Sequence, residues 1–179
     1  MPEIDLYLAL DVLGPTSIDG VFYRHTAERR NPLSGEGARM TGGRWNPAGT
    51  ETLYLARPIS TCRAEFLRMA EGQARGPDSF LPRRVHTIAV TSLDVVDLRS
   101  EEALAEVGLG RESISGDWAP FQAVGDAADT LGMGGLLVPS ATESGEVLAV
   151  FVRHAHHGEL SVVRSITIHD PSWSSLEDE

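Results

Sequence analysis

Cysteine is almost absent from this chain: Cys62 is the single one in 179 residues. One thiol can close no internal disulfide and build no multi-cysteine zinc site. It sits in an apolar, helix-patterned stretch, where cysteine acts as a small buried hydrophobe. Positive charge is also scarce, with 15 basic against 26 acidic residues and a formal net charge of −11. That balance argues against non-specific nucleic-acid binding by this chain, because phosphate contacts need a basic patch. It still permits a local arginine cluster around an anionic ligand, it suits a basic partner, and it favours solubility. No run approaches the roughly 18 apolar residues of a membrane span. Met1-Pro2-Glu3-Ile4-Asp5 has neither the basic region nor the apolar run of a signal peptide, so a cytoplasmic protein away from membranes is expected. The phosphate loop G-x-x-x-x-G-K-[ST], the G-x-S-x-G nucleophile elbow and the H-E-x-x-H zinc helix are all missing. His154 and His156 are read on one face of a strand, but no third ligand accompanies them, so no metal is expected.

What is present is an ordinary globular composition, 41% hydrophobic and 23% charged, at a length that fits one domain. Residues 1–20 read as an N-terminal arm or helix, 21–170 as the domain proper and 171–179 as an acidic tail that frays. Strands are expected at Val21–His25, Thr52–Ala56, Arg84–Leu98 (as one or two), Gly134–Ser140, Val147–Phe151 and Leu160–Ile168. Helices are expected over Cys62–Ala70, capped by Ser60 or Thr61, over Glu101–Val107 and over Trp118–Leu131. Residues 30–50 carry so many Gly, Pro, Asn and Ser that a regular element is not expected there. A loop of that length inside a compact domain is usually functional. A few helices among short strands of mixed order make an α+β fold.

One pattern is specific. Gly35-Glu36-Gly37-Ala38-Arg39 is followed by Gly42-Gly43-Arg44-Trp45-Asn46-Pro47-Ala48-Gly49, then Tyr54, then Ala64-Glu65-Phe66. Tyr23-Arg24 precedes it, and Trp118, Gln122 and Val138-Pro139-Ser140-Ala141 follow. Taken together, these residues resemble the RES domain family, named for an Arg, a Glu and a Ser, from about Phe22 to about Ile168. The literal run Arg111-Glu112-Ser113 is a coincidence of letters. His25 stands where many relatives carry an aromatic or aliphatic residue, and the segment Thr142 to Glu146 lacks the Asn that the resemblance leads one to expect near there.

The resemblance implies a fold similar to that of ADP-ribosyltransferases. It implies the toxin of a bacterial toxin–antitoxin pair that cleaves NAD⁺ by hydrolysis or phosphorolysis, depletes it and arrests growth. The implied partner is an Xre-type antitoxin with a helix-turn-helix domain, with phosphate as a possible co-substrate. A protein ADP-ribosyltransferase and a non-catalytic module that has kept the fold are the alternatives. Breaking the nicotinamide–ribose bond develops an oxocarbenium-like centre, which one nearby carboxylate and tight orientation stabilise. Glu65 is the candidate carboxylate, on a ribose hydroxyl and the developing charge. Arg24 is read on a phosphate or ribose oxygen. Arg44 is read either as the second phosphate arginine or as a brace on loop carbonyls. Tyr54 is read as a platform for the nicotinamide ring or as core with a bonded hydroxyl. Ser140 is read as bonding the nicotinamide amide or holding Glu65, and not as a nucleophile, because no His–acid pair follows it.

Overall fold

The computed structural model describes residues 4–114, 116–142 and 144–176. The acidic end Glu177-Asp178-Glu179, expected to fray, lies outside the described residues, as does Glu143 in the segment after Ser140. Among the described residues there are six strands: β1 (Thr16–Ala27), β2 (Thr52–Arg57), β3 (Arg83–Asp97), β4 (Gly135–Pro139), β5 (Glu146–Phe151) and β6 (Leu160–Ile168). Five α-helices accompany them: α1 (Leu6–Leu13), α2 (Glu36–Thr41), α3 (Ile59–Gly72), α4 (Glu101–Glu106) and α5 (Ala119–Thr130). The architecture is a single α+β unit. No helix among the described residues is long and apolar enough to cross a membrane.

The strands pair in the order β1-β2-β5-β4-β3-β6, and β1 also pairs with β3. Five of the strands therefore close a ring, with β6 hanging from β3 outside it. The β1–β2 seam is thin, a single pairing of Tyr23 with Ala56, and only β3 and β4 run parallel. Alternation along each strand sends successive side chains to opposite faces. One face gathers Phe22, Leu53, Leu55, Ile88, Val90, Val95, Leu137, Leu148 and Val150, a cluster drawn from strands alone. The other face carries Val85, Val96, Leu136, Val138, Ala149 and Phe151 against Phe66 of α3, Phe121 and Val124 of α5 and Leu10 of α1. β4 is buried along its whole length, as a strand covered on both faces must be.

β1 is longer than the short strand expected at its place, and the stretch 84–98, read as one strand or two, is one. β1 has 12 residues and begins at Thr16: Ser17 and Asp19 face outward while Ile18 and Phe22 turn in, and Thr16 and Ser17 pair with Val95 and Asp94 of β3. β3 has 15 residues and is one strand. Its apolar phase slips by one residue between Val90 and Leu93, where Ser92 takes φ 51° and the β1 register shifts opposite Ile18 and Gly20. A bulge of this kind re-aims a strand without ending it. α3 starts at Ile59 behind Pro58, with no side-chain cap. The Thr61 hydroxyl, expected among the caps, donates instead to the Ser144 carbonyl.

The stretch 30–50 corrects the expectation of an irregular loop. It holds α2, closed by a Glu36–Arg39 pair one turn apart. Around α2 the chain is tied to itself. Asn46 Nδ2 donates to the carbonyls of Ala38, Pro47 and Thr50 at 2.9–3.1 Å, and Gly49 N–H donates to Arg39 at 2.7 Å. The segment read as a tail also contributes to the core, since Trp173 is buried and stacks on Phe66 at 5.9 Å.

Candidate functional site

The loop that follows α2 is anchored to the helix-covered face of the ring by Trp45. Its side chain is 2% exposed and meets the edge of Phe121 at 5.1 Å. Gly125 of α5 admits the Trp45 backbone: a Cβ there would lie 1.8 Å from the Trp45 carbonyl oxygen. Gln122, one turn earlier on α5, donates to the Gly43 carbonyl at 2.9 Å. Tyr54 rises from β2 into this loop. Its hydroxyl accepts from Trp45 N–H at 2.9 Å and donates to Asn46 Oδ1 at 2.6 Å. Burial pushes the Tyr54 pKa up, so the hydroxyl stays protonated and keeps both roles.

Glu65 and Ser140 meet across the site. Ser140 ends β4 and is buried, and its hydroxyl donates to Glu65 Oε1 at 2.6 Å. Thr142 N–H donates back to Ser140 Oγ at 3.0 Å, and Ser140 N–H donates to the Gly145 carbonyl at 3.0 Å. Thr142 and Gly145 therefore hold the Ser140 backbone and hydroxyl so that the hydroxyl meets one carboxylate oxygen. The half-buried Glu65 sits on α3 one residue ahead of the buried Phe66, so helical periodicity places it at the margin of the core face.

Arg44 is 9% exposed and lies over the rings of Trp118 at 5.5 Å and Phe121 at 5.8 Å. Burial, and then the charge of Arg68, push its pKa down, while Glu65 and Tyr54 push the other way. Arg44, Glu65, Tyr54 and Arg68 thus share one electrostatic neighbourhood. Trp118 itself is 45% exposed, a large aromatic open to solvent at the rim.

Arg24 is placed differently. Its parity along β1 is that of Phe22, whereas Tyr54 and Ser140 belong to the helix-covered face. Its Nη1 and Nη2 donate to the Pro32 and Ser34 carbonyls at 2.5 and 2.8 Å. The carbonyl bracing read as one option for Arg44 is thus carried by Arg24. Burial lowers its pKa to about 10, which leaves it charged at neutral pH. Next to it, His25 packs on the edge of Phe66 at 5.4 Å, and its Nδ1 bonds Arg83 at 2.8 Å. Burial, followed by the charge of Arg83, lowers the His25 pKa to about 3. His25 therefore stands in for an aromatic as a neutral ring.

Cys62 is buried and free, with its pKa pushed up to about 12 by burial. His154 and His156 are not on one face of a strand: β5 ends at Phe151, and His154 closes a 3₁₀ turn with Nε2 2.8 Å from the Asp129 carbonyl oxygen. Among the described residues no group of three His, Cys, Asp or Glu is arranged to hold a metal ion.

Sequence reasoning missed Arg68 and Thr142. The spacing Glu65-x-x-Arg68 on one helix was the available signal for Arg68. Thr142 had no signal, because only the folded backbone returns its N–H to Ser140 Oγ.

The RES domain family model matches residues 21–174. The chain is 39% identical over 171 residues to the NAD(+) phosphorylase MbcT of Mycobacterium tuberculosis and of Mycobacterium bovis, over 93% of this chain and 92% of the relative. It superposes on a chain in the crystal structure of the M. tuberculosis MbcT–MbcA toxin–antitoxin complex with a TM-score of 0.87 and 37% identity. That match covers 96% of this chain and 95% of that chain. A family match over most of the length, a close relative and a fold that superposes end to end lead to one conclusion: this chain belongs to the RES domain family.

Proposed function

We propose that this protein is the toxin of a toxin–antitoxin pair, an enzyme that cleaves NAD⁺ at the nicotinamide–ribose bond and so depletes it. The single observation that carries this reading is the 39% identity, over nearly the whole chain, to a relative that is an NAD(+) phosphorylase. NAD⁺ is the substrate, and phosphate is the acceptor we assign. The fold is assigned to the ADP-ribosyltransferase type, a reading supported by the ring of five strands with β6 outside it.

The chemistry follows from the site. Nicotinamide leaves from a cationic pyridinium, so no strong acid is needed on the leaving group. The requirement is to stabilise the positive charge that grows on the ribose. Glu65 is the carboxylate that does so, on the ribose hydroxyls beneath the reacting carbon. Ser140 is a positioning residue, because its short bond fixes Glu65 Oε1 and leaves Oε2 to the substrate. Orientation of this kind removes entropy from the barrier. Tyr54 forms the floor for the nicotinamide ring, its hydroxyl tied to Trp45 and Asn46. Arg44 supplies positive charge for a phosphate oxygen. Arg24 holds the loop 28–35 and, through its remaining donors, an oxygen of the dinucleotide. The partner is an antitoxin, which we assign to the Xre type with a helix-turn-helix domain, and the setting is the cytoplasm.

Purified protein, freed of antitoxin, is incubated with NAD⁺ with and without inorganic phosphate, and nicotinamide is followed by chromatography. Release with phosphate, together with a phosphorylated ADP-ribose, is expected. No release under either condition overturns the reading. Label from NAD⁺ left on a protein instead makes the enzyme a transferase.

A further inference from the structure

Among the described residues neither Arg44 nor Arg68 is hydrogen-bonded or ion-paired to a carboxylate, although both lie in the electrostatic neighbourhood of Glu65. Arg44 is nine-tenths buried, and its Nη1 is sealed from water without a hydrogen-bond partner among the described residues. A guanidinium has five N–H donors, and a buried donor left unmatched is costly. The rings of Trp118 and Phe121 offer Arg44 only their faces. Glu65, whose charge reaches Arg44, already has one oxygen bonded to Ser140.

Arg68 follows Glu65 by three residues on α3, so the two side chains leave neighbouring points of the helix surface. Arg68 is half-buried, and among the described residues it makes no hydrogen bond and no ion pair. Two like charges in a partly desolvated site repel each other. The arrangement is relieved by a ligand with two negative charges and several acceptor oxygens, set between the forks.

We propose that Arg68 and Arg44 together hold a phosphate group beside Glu65, and that in turnover this group is the inorganic phosphate that accepts ADP-ribose. The inference rests on the reading of this chain as an NAD⁺-cleaving phosphorylase. The step balances. An oxygen of hydrogen phosphate attacks the ribose carbon and forms the new C–O bond. The C–N bond to nicotinamide breaks, and its electron pair neutralises the pyridinium nitrogen. The phosphate carries its proton into the monoester product, which then ionises to the dianion in solvent. A nucleophile must approach to about 3–3.5 Å of the reacting carbon, and Arg68 stands one helical turn from the carboxylate that grips the ribose.

The test uses Arg68→Met, Arg68→Lys and, as a control at the exposed end of the same segment, Arg75→Met. Inorganic phosphate binding is measured by calorimetry, and the KM values for phosphate and for NAD⁺ by nicotinamide release. Thermal melts check that each variant folds. Losing one charge-assisted fork is expected to weaken phosphate binding and raise the phosphate KM about 10- to 100-fold in Arg68→Met. The NAD⁺ KM should stay within about twofold, and the product should shift towards plain ADP-ribose. Arg68→Lys is expected to recover part of the loss, and Arg75→Met to match the parent.

A raised NAD⁺ KM with an unchanged phosphate KM overturns the assignment to the acceptor and gives the site to the dinucleotide's pyrophosphate. Unchanged phosphate binding and unchanged KM values overturn the site altogether. Calorimetry needs no turnover. A parent protein that binds phosphate through Arg68 but never releases nicotinamide therefore refutes the proposed function and leaves this site standing.

Discussion

Replacing Gly43 by alanine tests whether the loop is wedged on Tyr54. A Cβ at position 43 would stand 2.5 Å from the Tyr54 hydroxyl oxygen and 2.8 Å from both Cζ and Asn46 Oδ1. Tyr54 is the shared partner of Trp45 N–H and Asn46, so the ring cannot yield without breaking both bonds. Each such bond is worth about 1 kcal/mol net, and a buried Trp45 N–H left without a partner adds about 1–3 kcal/mol. The sum is about 3–5 kcal/mol, which in a chain of this size lowers Tm by about 6–20 °C. Urea unfolding of the parent, Gly43→Ala, Tyr54→Phe and the double variant forms a cycle. Once Tyr54→Phe has removed the hydroxyl and its bonds, Gly43→Ala should cost at least about 1 kcal/mol less than it does alone. Additive costs, or a Gly43→Ala protein as stable and as active as the parent, refute the wedge.

Glu65→Gln should melt like the parent and lose nicotinamide release by about 100-fold or more, measured as kcat with saturating NAD⁺; a retained rate removes Glu65 from the chemistry. Ser140→Ala should lower kcat about 10-fold with little change in the NAD⁺ KM, because it frees Glu65 Oε1 without touching the dinucleotide. Arg24→Met should destabilise the fold by about 2–4 kcal/mol in urea, since the Pro32 and Ser34 carbonyls lose charged donors; an unchanged midpoint with a raised NAD⁺ KM would give Arg24 to the ligand alone. Acid should weaken the fold through two rings. His25 and His86 fall from 6.5 to about 3 and about 4 because burial disfavours their charged forms. Below about pH 6.5 the unfolded chain takes up protons that these folded rings refuse, so stability drops as pH falls towards 4, by up to about 1.4 kcal/mol per unit for each ring. Urea midpoints at pH 7, 5.5 and 4.5 measure this slope, and His86→Gln, which keeps polar atoms for Thr26 and Ser165, should flatten it.

The sequence by itself determined the elements whose signal is local. α5 follows from the spacing of Phe121, Val124 and Ala128. β4 follows from an apolar run between glycine and proline, and the family from a glycine-rich block taken together with the residues that precede and follow it. Glu65 and Ser140 were legible as members of that pattern, though 75 residues apart. Only the tertiary structure decided that they touch. It also decided that Tyr54 and Asn46 lock the loop, that Arg24 takes the bracing role and Arg44 the aromatic one, and that Arg68 joins them. The early start of β1 and the continuity of β3 were hidden for a related reason. Polar residues at Thr16, Ser17 and Thr91 read as breaks in a run, and become strand only when a partner strand satisfies their backbone. The α2 helix was masked in the same way, since its glycines argue for a loop until the Glu36–Arg39 pair and the Asn46 ties offset their entropy. Side-chain periodicity is written along the chain, whereas which donor meets which acceptor depends on how the ring closes, and that closure brings together residues with no local mark of one another.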